Sequence, residues 1–142
     1  MIDQLTVFLE NSEGRLAALC RVLADAKVNM YALTIADTTD YGIVRIICDD
    51  PEKAVTALSE QDYRAVVTKV AAIGVPNEPG GLAKLLDLLD ELDINIEYGY
   101  CFSIKDDMAV DVLKIHAPEQ ASEAAAALEA AGFKLLQSED IR

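Results

Sequence analysis

The sequence predicts an α+β chain made of two copies of one βαββαβ unit. Three observations lead there. The chain repeats itself, the apolar spacing alternates between strand and helix periods in the same order in each copy, and 142 residues with 52 % apolar and 26 % charged content suit a globular core. The repeat appears when the sequence is slid along itself. A shift of 66 residues puts Asn11 on Asn77, Gly14 on Gly80, Leu16 on Leu82, Leu19 on Leu85, Leu23 on Leu89 and Asn29 on Asn95. Further on, Pro51-Glu52 falls on Pro118-Glu119 at a shift of 67, so one residue is inserted between the two blocks, most simply in a hairpin loop. The expected domains are residues 1–68 and 69–142, joined without a visible linker.

Each element follows from period and punctuation. Leu5 to Leu9 is a short run of strand formers ended by the turn cluster Asn11-Ser12-Glu13-Gly14. Leu16, Leu19, Cys20, Leu23 and Ala26 then keep the spacing of a helix with one buried stripe. Met30 to Ala36 and Gly42 to Cys48 read as a hairpin about Thr38-Thr39-Asp40-Tyr41. Pro51 suits the first turn of a second helix running through Leu58, because proline lacks an N–H that would be unpaired there. Arg64 to Thr68 closes the unit as a strand.

The second copy repeats the order: strand Val70 to Val75, helix Gly81 to Leu92, strand Ile94 to Ile104, turn Lys105-Asp106-Asp107, strand Met108 to Ile115. An alanine-rich helix from Pro118 to Ala131, capped by Gly132, and a last strand Phe133 to Gln137 complete it. Because Arg64 to Val75 is almost unbroken, the last strand of one unit is expected to run nearly directly into the first strand of the next. A βαββαβ unit is the ferredoxin-like arrangement, an antiparallel four-stranded sheet with both helices on one face. The other face then needs a cover or must stay polar. Strict alternation along the second strand of the second copy groups Ile96, Tyr98, Tyr100, Phe102 and Ile104 on one face and Glu97, Gly99, Cys101 and Ser103 on the other.

Charge and rare residues exclude several functions. With 12 Lys plus Arg against 25 Asp plus Glu the net charge is −13, which opposes phosphate backbones and anionic lipid, so neither nucleic acid nor a membrane is an expected partner. No apolar stretch nears the roughly 18 residues of a spanning helix, and the N-terminus lacks the pattern of an export signal. A soluble cytoplasmic protein is expected. Cys20, Cys48 and Cys101 are far apart and odd in number, so they read as small core residues and not as a disulfide set or a zinc site. His116, the single histidine, has no second histidine to share a metal with, and reads as a surface or turn residue. No nucleophile elbow accompanies it, so no catalytic residues, metal or cofactor are assigned.

The chemistry the sequence suggests most strongly lies in the first strand-to-helix turn, present twice as Asn11-Ser12-Glu13-Gly14-Arg15-Leu16 and Asn77-Glu78-Pro79-Gly80-Gly81-Leu82. Glycine before a helix lets a ligand approach the backbone, and the first N–H groups with the positive end of the helix dipole suit a carboxylate-sized anion. Asparagine supplies both a donor and an acceptor. The alternative is that Asn11 and Asn77 merely cap the turns. Neither loop carries a G-x-x-x-x-G-K-[ST] or G-x-G-x-x-G pattern, so a nucleotide site is unsupported.

Two successive βαββαβ units, each with N-x-x-G-x-L after the first strand and Val28-Asn29 or Ile94-Asn95 before the second, resemble a stand-alone pair of ACT domains over nearly the whole chain. The resemblance implies a regulatory module that binds an amino acid or similar small metabolite at an interface between ACT units, with no residues left over for an enzyme. It implies that the loops grip the ligand through Asn77, Glu78, Gly80, Gly81 and Leu82, and through Asn11, Glu13, Gly14, Arg15 and Leu16. It also implies that the second strands close the sites through Asn95, Ile96 and Glu97, and through Asn29, Met30 and Tyr31. The first copy departs from the commoner Pro-Gly pair: Glu13 stands where the second has Pro79, and Arg15 where the second has Gly81. Arg15 either pairs with a ligand carboxylate or fills the space, so the second loop is favoured as the site. The competing function is a regulatory or interaction subunit of an amino-acid metabolic enzyme with no ligand of its own. Open sheet edges favour a homodimer in either case.

Overall fold

The computed structural model describes residues 1–10, 12–37 and 41–141. The expected hairpin turn at Thr38 to Asp40 lies outside the described residues. The elements run β1 (Ile2–Glu10), α1 (Arg15–Asp25), β2 (Met30–Asp37), β3 (Tyr41–Cys48), α2 (Pro51–Glu60), β4 (Arg64–Pro76), α3 (Gly81–Glu91), β5 (Ile96–Lys105), β6 (Met108–Ile115), a 3-10 turn (Pro118–Gln120), α4 (Ala121–Ala130), β7 (Lys134–Leu136) and α5 (Ser138–Ile141). The chain divides into two compact units: an N-terminal unit, Asp3–Thr68, and a C-terminal unit, Lys69 onward with Met1–Ile2. β4 is a single strand of 13 residues that passes from one unit into the other.

In the N-terminal unit the strand order is β2-β3-β1-β4, with β1–β3 and β2–β3 antiparallel. Alternate residues Leu5, Val7 and Leu9 of β1 meet Leu19 and Leu23 of α1, Val44 and Ile46 of β3, and Ala54 and Leu58 of α2 in one core, so both helices cover one sheet face. The opposite face is mixed: Phe8, Ile43 and the buried Ile47 share it with buried Gln4, which donates from Nε2 to Thr6 Oγ1 at 3.0 Å, and the Thr6 and Thr68 hydroxyls are bonded at 3.0 Å. Pro51 is the first residue of α2, and Asp50 caps that helix by accepting the Lys53 N–H at 3.1 Å.

In the C-terminal unit the order is β5-β6-β4-β7, every pair antiparallel, which is the same 2-3-1-4 arrangement. The βαββαβ pattern expected from the sequence is therefore present twice. Its core joins Ala71, Ile73 and Val75 of β4 with Leu85 and Leu89 of α3, Leu113 and Ile115 of β6, and Ala124 and Leu128 of α4. Asp106 and Asp107, both with positive φ (53° and 61°), form the two-residue turn between β5 and β6. α5 was not anticipated; the Asp140 carboxylate accepts the Gln137 N–H at 2.8 Å at its start.

Two structural features escape simple periodicity. The four helices α1 to α4 end alike, with a left-handed residue (Lys27, Asp62, Asp93 or Gly132). It is followed by an apolar residue whose N–H returns to the last turn: Val28 to Leu23, Tyr63 to Leu58, Ile94 to Leu89 and Phe133 to Leu128. The sequence announced only Gly132, because the other three positions carry residues that rarely adopt this conformation. The second feature corrects the expected alternation of β5. Its register slips between Ile96 and Tyr98 and again between Cys101 and Ser103, so Ile96, opposite Ile115, packs on the core instead of sharing the Tyr98 face. The same slip occurs in β2 between Met30 and Ala32, and Met30 likewise packs on its core.

Candidate functional site

β4 delivers the chain to Pro76, and residues Asn77 to Gly80 turn it into α3. The Asn77 N–H donates to the Asp107 carbonyl at 2.7 Å, which ties the loop to the β5–β6 turn. The Glu78 N–H donates to Pro76 O at 2.9 Å, and the Gly81 N–H to Glu78 O at 3.0 Å. The loop thus satisfies the first helical N–H itself. Those of Leu82 and Ala83 remain as the donors a helix start leaves without intrahelical partners. Asn77 makes its bond through the backbone, and no side chain caps α3, whose N-cap is Gly80.

Gly80 and Gly81 are glycine for different reasons. Gly80 has φ +87° and open space where a Cβ would stand, so the conformation alone selects it. Gly81 is buried, and a Cβ there would strike the Pro76 carbonyl oxygen and approach Val75 Cγ1 to 3.2 Å. Asn77, Glu78 and Gly80 are exposed.

The N-terminal loop has the same turn and a different lining. Gly14 has φ +79° and open space around its missing Cβ; Ser12 and Glu13 are exposed. Asn11 lies outside the described residues. Arg15, at the position of Gly81, folds over its own unit: its guanidinium carbon is 4.9 Å from the centre of the Tyr63 ring. Leu16 packs on the core, whereas its counterpart Leu82 is 46 % exposed.

The starts of the second strands also match and then diverge. The Asp49 N–H donates to Asn29 O at 3.0 Å, and the His116 N–H to Asn95 O at 2.9 Å. In the N-terminal unit the Asp49 carboxylate additionally accepts the Asn29 N–H at 3.0 Å. In the C-terminal unit the His116 ring nitrogen Nδ1 lies 3.0 Å from Glu97 Oε1 on the surface. Met30 and Tyr31 are half-buried, as is Ile96; Asn29, Asn95 and Glu97 are exposed.

Of the residues singled out from the sequence, Leu82 and Ile96 meet in one cleft of about 430 Å³ inside the C-terminal unit. Its walls come from Leu82 and Leu86 of α3, from Ile96 and Tyr98 to Cys101 of β5, and from Asp111 and Leu113 of β6. Gly99 brings Leu113 close: a Cβ on it would lie 2.6 Å from Leu113 Cδ2. Asp111 is 7 % exposed, and burial pushes its carboxyl above the ordinary range. Sequence reasoning passed over Asp111, although a signal was there. In MAVDVLKI it alternates with Ala109, Leu113 and Ile115, so a charge stands in the core-facing series. The expectation of three core cysteines needs correction. Cys48 is buried with its thiol pushed up to about 11 by burial, Cys20 is half-buried, and Cys101 is exposed because the edge strand β5 leaves one side open.

Residues 1–134 match the family described as the ACT domain pair. The chain belongs to that family. The crystal structure of protein BT0572 from Bacteroides thetaiotaomicron is similar at 36 % identity, with 99 % of this chain and 94 % of that one covered and a TM-score of 0.90. The regulatory subunit of aspartate kinase from Thermus thermophilus, in its ligand-free form, shares the fold at 18 % identity, 92 % coverage of both chains and a TM-score of 0.66. The corresponding subunit from Thermus flavus does so at 18 % identity, 91 % coverage of both and a TM-score of 0.61. No curated protein matches the sequence. In this ACT pair no described helix is long and apolar enough to cross a membrane, and the described residues hold no group of three His, Cys, Asp or Glu suited to a metal.

Proposed function

We propose that this ACT pair is a non-catalytic regulatory protein of the cytoplasm that binds an amino acid or similar small metabolite. The loop Asn77, Glu78, Gly80, Gly81 and Leu82, with Asn95, Ile96 and Glu97, holds the ligand where ACT modules meet in a homodimer. One observation carries the reading. The left-handed Gly80 leaves open space directly before α3, so a ligand carboxylate can approach the N–H groups of Leu82 and Ala83. The first loop, with Gly14, Arg15 and Leu16 beside Asn29, Met30 and Tyr31, is the weaker site, since Arg15 is engaged with Tyr63 and Leu16 with the core.

Binding regulates by linkage: a ligand shifts the protein between arrangements only as far as it prefers one of them. The test is a thermal-shift screen of the twenty amino acids. A ligand at a hundred times its Kd adds about 2.7 kcal/mol and raises Tm by several degrees. Asn77→Ala and Gly80→Val are expected to remove that shift while leaving the chain folded. A flat response across the panel overturns the reading.

The second reading is a subunit that regulates an amino-acid metabolic enzyme by contact, without a ligand. It is supported by the fold shared with aspartate kinase regulatory subunits, and by the edge strand β2, where Leu33 and Ile35 are 39 % and 46 % exposed. Co-purification with such an enzyme, in the absence of any amino-acid response, is its signature.

A further inference from the structure

Asp111 has no structural task that its counterpart lacks. In the N-terminal unit Val44 takes its place: Ile35 pairs with Val44 as Cys101 pairs with Asp111, and Leu33 pairs with Ile46 as Gly99 pairs with Leu113. Val44 is wholly buried in its core, so the fold builds this strand with an apolar residue there. A carboxylate in such a place costs free energy unless a partner meets it. Asp111 is more than nine-tenths buried and lines the cleft, and no hydrogen bond or ion pair engages its side chain among the described residues. The surrounding wall is aliphatic on the α3 side, through Leu82 and Leu86, and the volume of about 430 Å³ falls in the range of small-molecule sites.

We infer that the cleft binds a small molecule carrying a primary ammonium on a compact aliphatic group, with the ammonium donating to the Asp111 carboxylate and the aliphatic group lying against Leu82, Leu86, Ile96 and Leu113. This goes beyond the loop site: it puts ammonium recognition on β6, and it holds for an amine that has no carboxylate for the helix to receive. Asp111 sets specificity, because a ligand without the donor leaves a buried carboxylate unpaired.

The experiment is calorimetry on the full chain with three probes of one skeleton: leucine, isopentylamine, which lacks the carboxylate, and isocaproate, which lacks the amine. Isopentylamine is expected to bind and isocaproate to give no heat. Asp111→Asn is expected to weaken isopentylamine about ten-fold or more, and Asp111→Val, which copies Val44, to abolish its binding in a folded protein. Isopentylamine is also expected to slow maleimide labelling of Cys101 in the cleft wall.

The inference is overturned if isopentylamine gives no heat, or if Asp111→Asn binds it as tightly as the parent. It is equally overturned if Cys101 protection follows protein concentration and not amine, since a second copy then fills the cleft. The loop reading is judged separately by Gly80→Val. If leucine binding survives that change but isopentylamine is lost in Asp111→Asn, the loop reading fails and the cleft stands. If leucine is lost in Gly80→Val while isopentylamine never binds, the cleft fails and the loop stands.

Discussion

The two ACT units place the same backbone turn before their first helices and then use it differently. In the C-terminal unit, Gly81 is seated against the Pro76 carbonyl, Leu82 stands out from the helix, and Gly99 and Asp111 line a cleft. In the N-terminal unit, Arg15 lies on Tyr63, Leu16 joins the core, and Leu33 and Val44 take the places of Gly99 and Asp111. Duplication kept the frame, whose hydrogen bonds run through the backbone, and left the side chains free to diverge. Where the C-terminal unit has a small residue and a charge along its cleft, the N-terminal unit carries larger apolar residues.

Exchanging residues between the copies breaks that comparison most severely. Gly81→Arg, which imports the N-terminal residue, is expected to destabilise the chain by about 3 kcal/mol or more, because the new Cβ collides with backbone that cannot yield. Val44→Asp, the import in the other direction, is expected to cost about 3–5 kcal/mol by putting an unpaired carboxylate in a closed core. Urea unfolding of both variants measures these losses. Wild-type stability in either would show that the copies are less different than their packing indicates.

The reverse exchange sharpens the comparison. Burial raises the Asp111 carboxyl above its ordinary value, so the folded chain holds that proton to higher pH than the unfolded chain does. The stability tied to the proton is present at acid pH and is lost as pH rises through the raised value. Asp111→Val is therefore expected to be more stable than the parent by about 1–2 kcal/mol at neutral pH, with the gap narrowing toward pH of about 4. Melting curves across that window check it, and a gap that widens on acidification would contradict the assignment.

Smaller effects come from the loop and the helix ends. Arg15→Ala is expected to cost about 0.5–1 kcal/mol through its lost contact with Tyr63, without touching the amino-acid binding proposed for the C-terminal loop. Lys27→Gly is expected to gain a few tenths of a kcal/mol, about 0.5 at most, by relieving a left-handed lysine, against the greater chain entropy of glycine. Thermal unfolding resolves the first directly and the second in replicate.

Much of the frame was legible because repetition supplies an internal control. Asn77, Gly80 and Leu82 stood out by falling on Asn11, Gly14 and Leu16, and the helix stripe at Leu19 and Leu23 has its echo in Leu85 and Leu89. The register slips after Met30 and Ile96 were hidden, because a bulge leaves no residue type behind it and simply reverses which alternate residues face the core. The helix ends at Lys27, Asp62 and Asp93 were hidden for the opposite reason: the apolar residue that follows each is held by the core strongly enough to enforce a conformation its neighbour disfavours.

The sequence by itself determined the element order, the duplication and the family, since these depend on spacing, and spacing is written along the chain. Only the tertiary structure decided which equivalent residues became wall, floor or core. Asp111 and Val44 occupy the same register, yet the effect of each depends on neighbours that folding brings from α3 and β5 or from their counterparts in the other unit. Burial, and the absence of a partner among the described residues, are properties of that surrounding, and a charge acquires its chemistry from them.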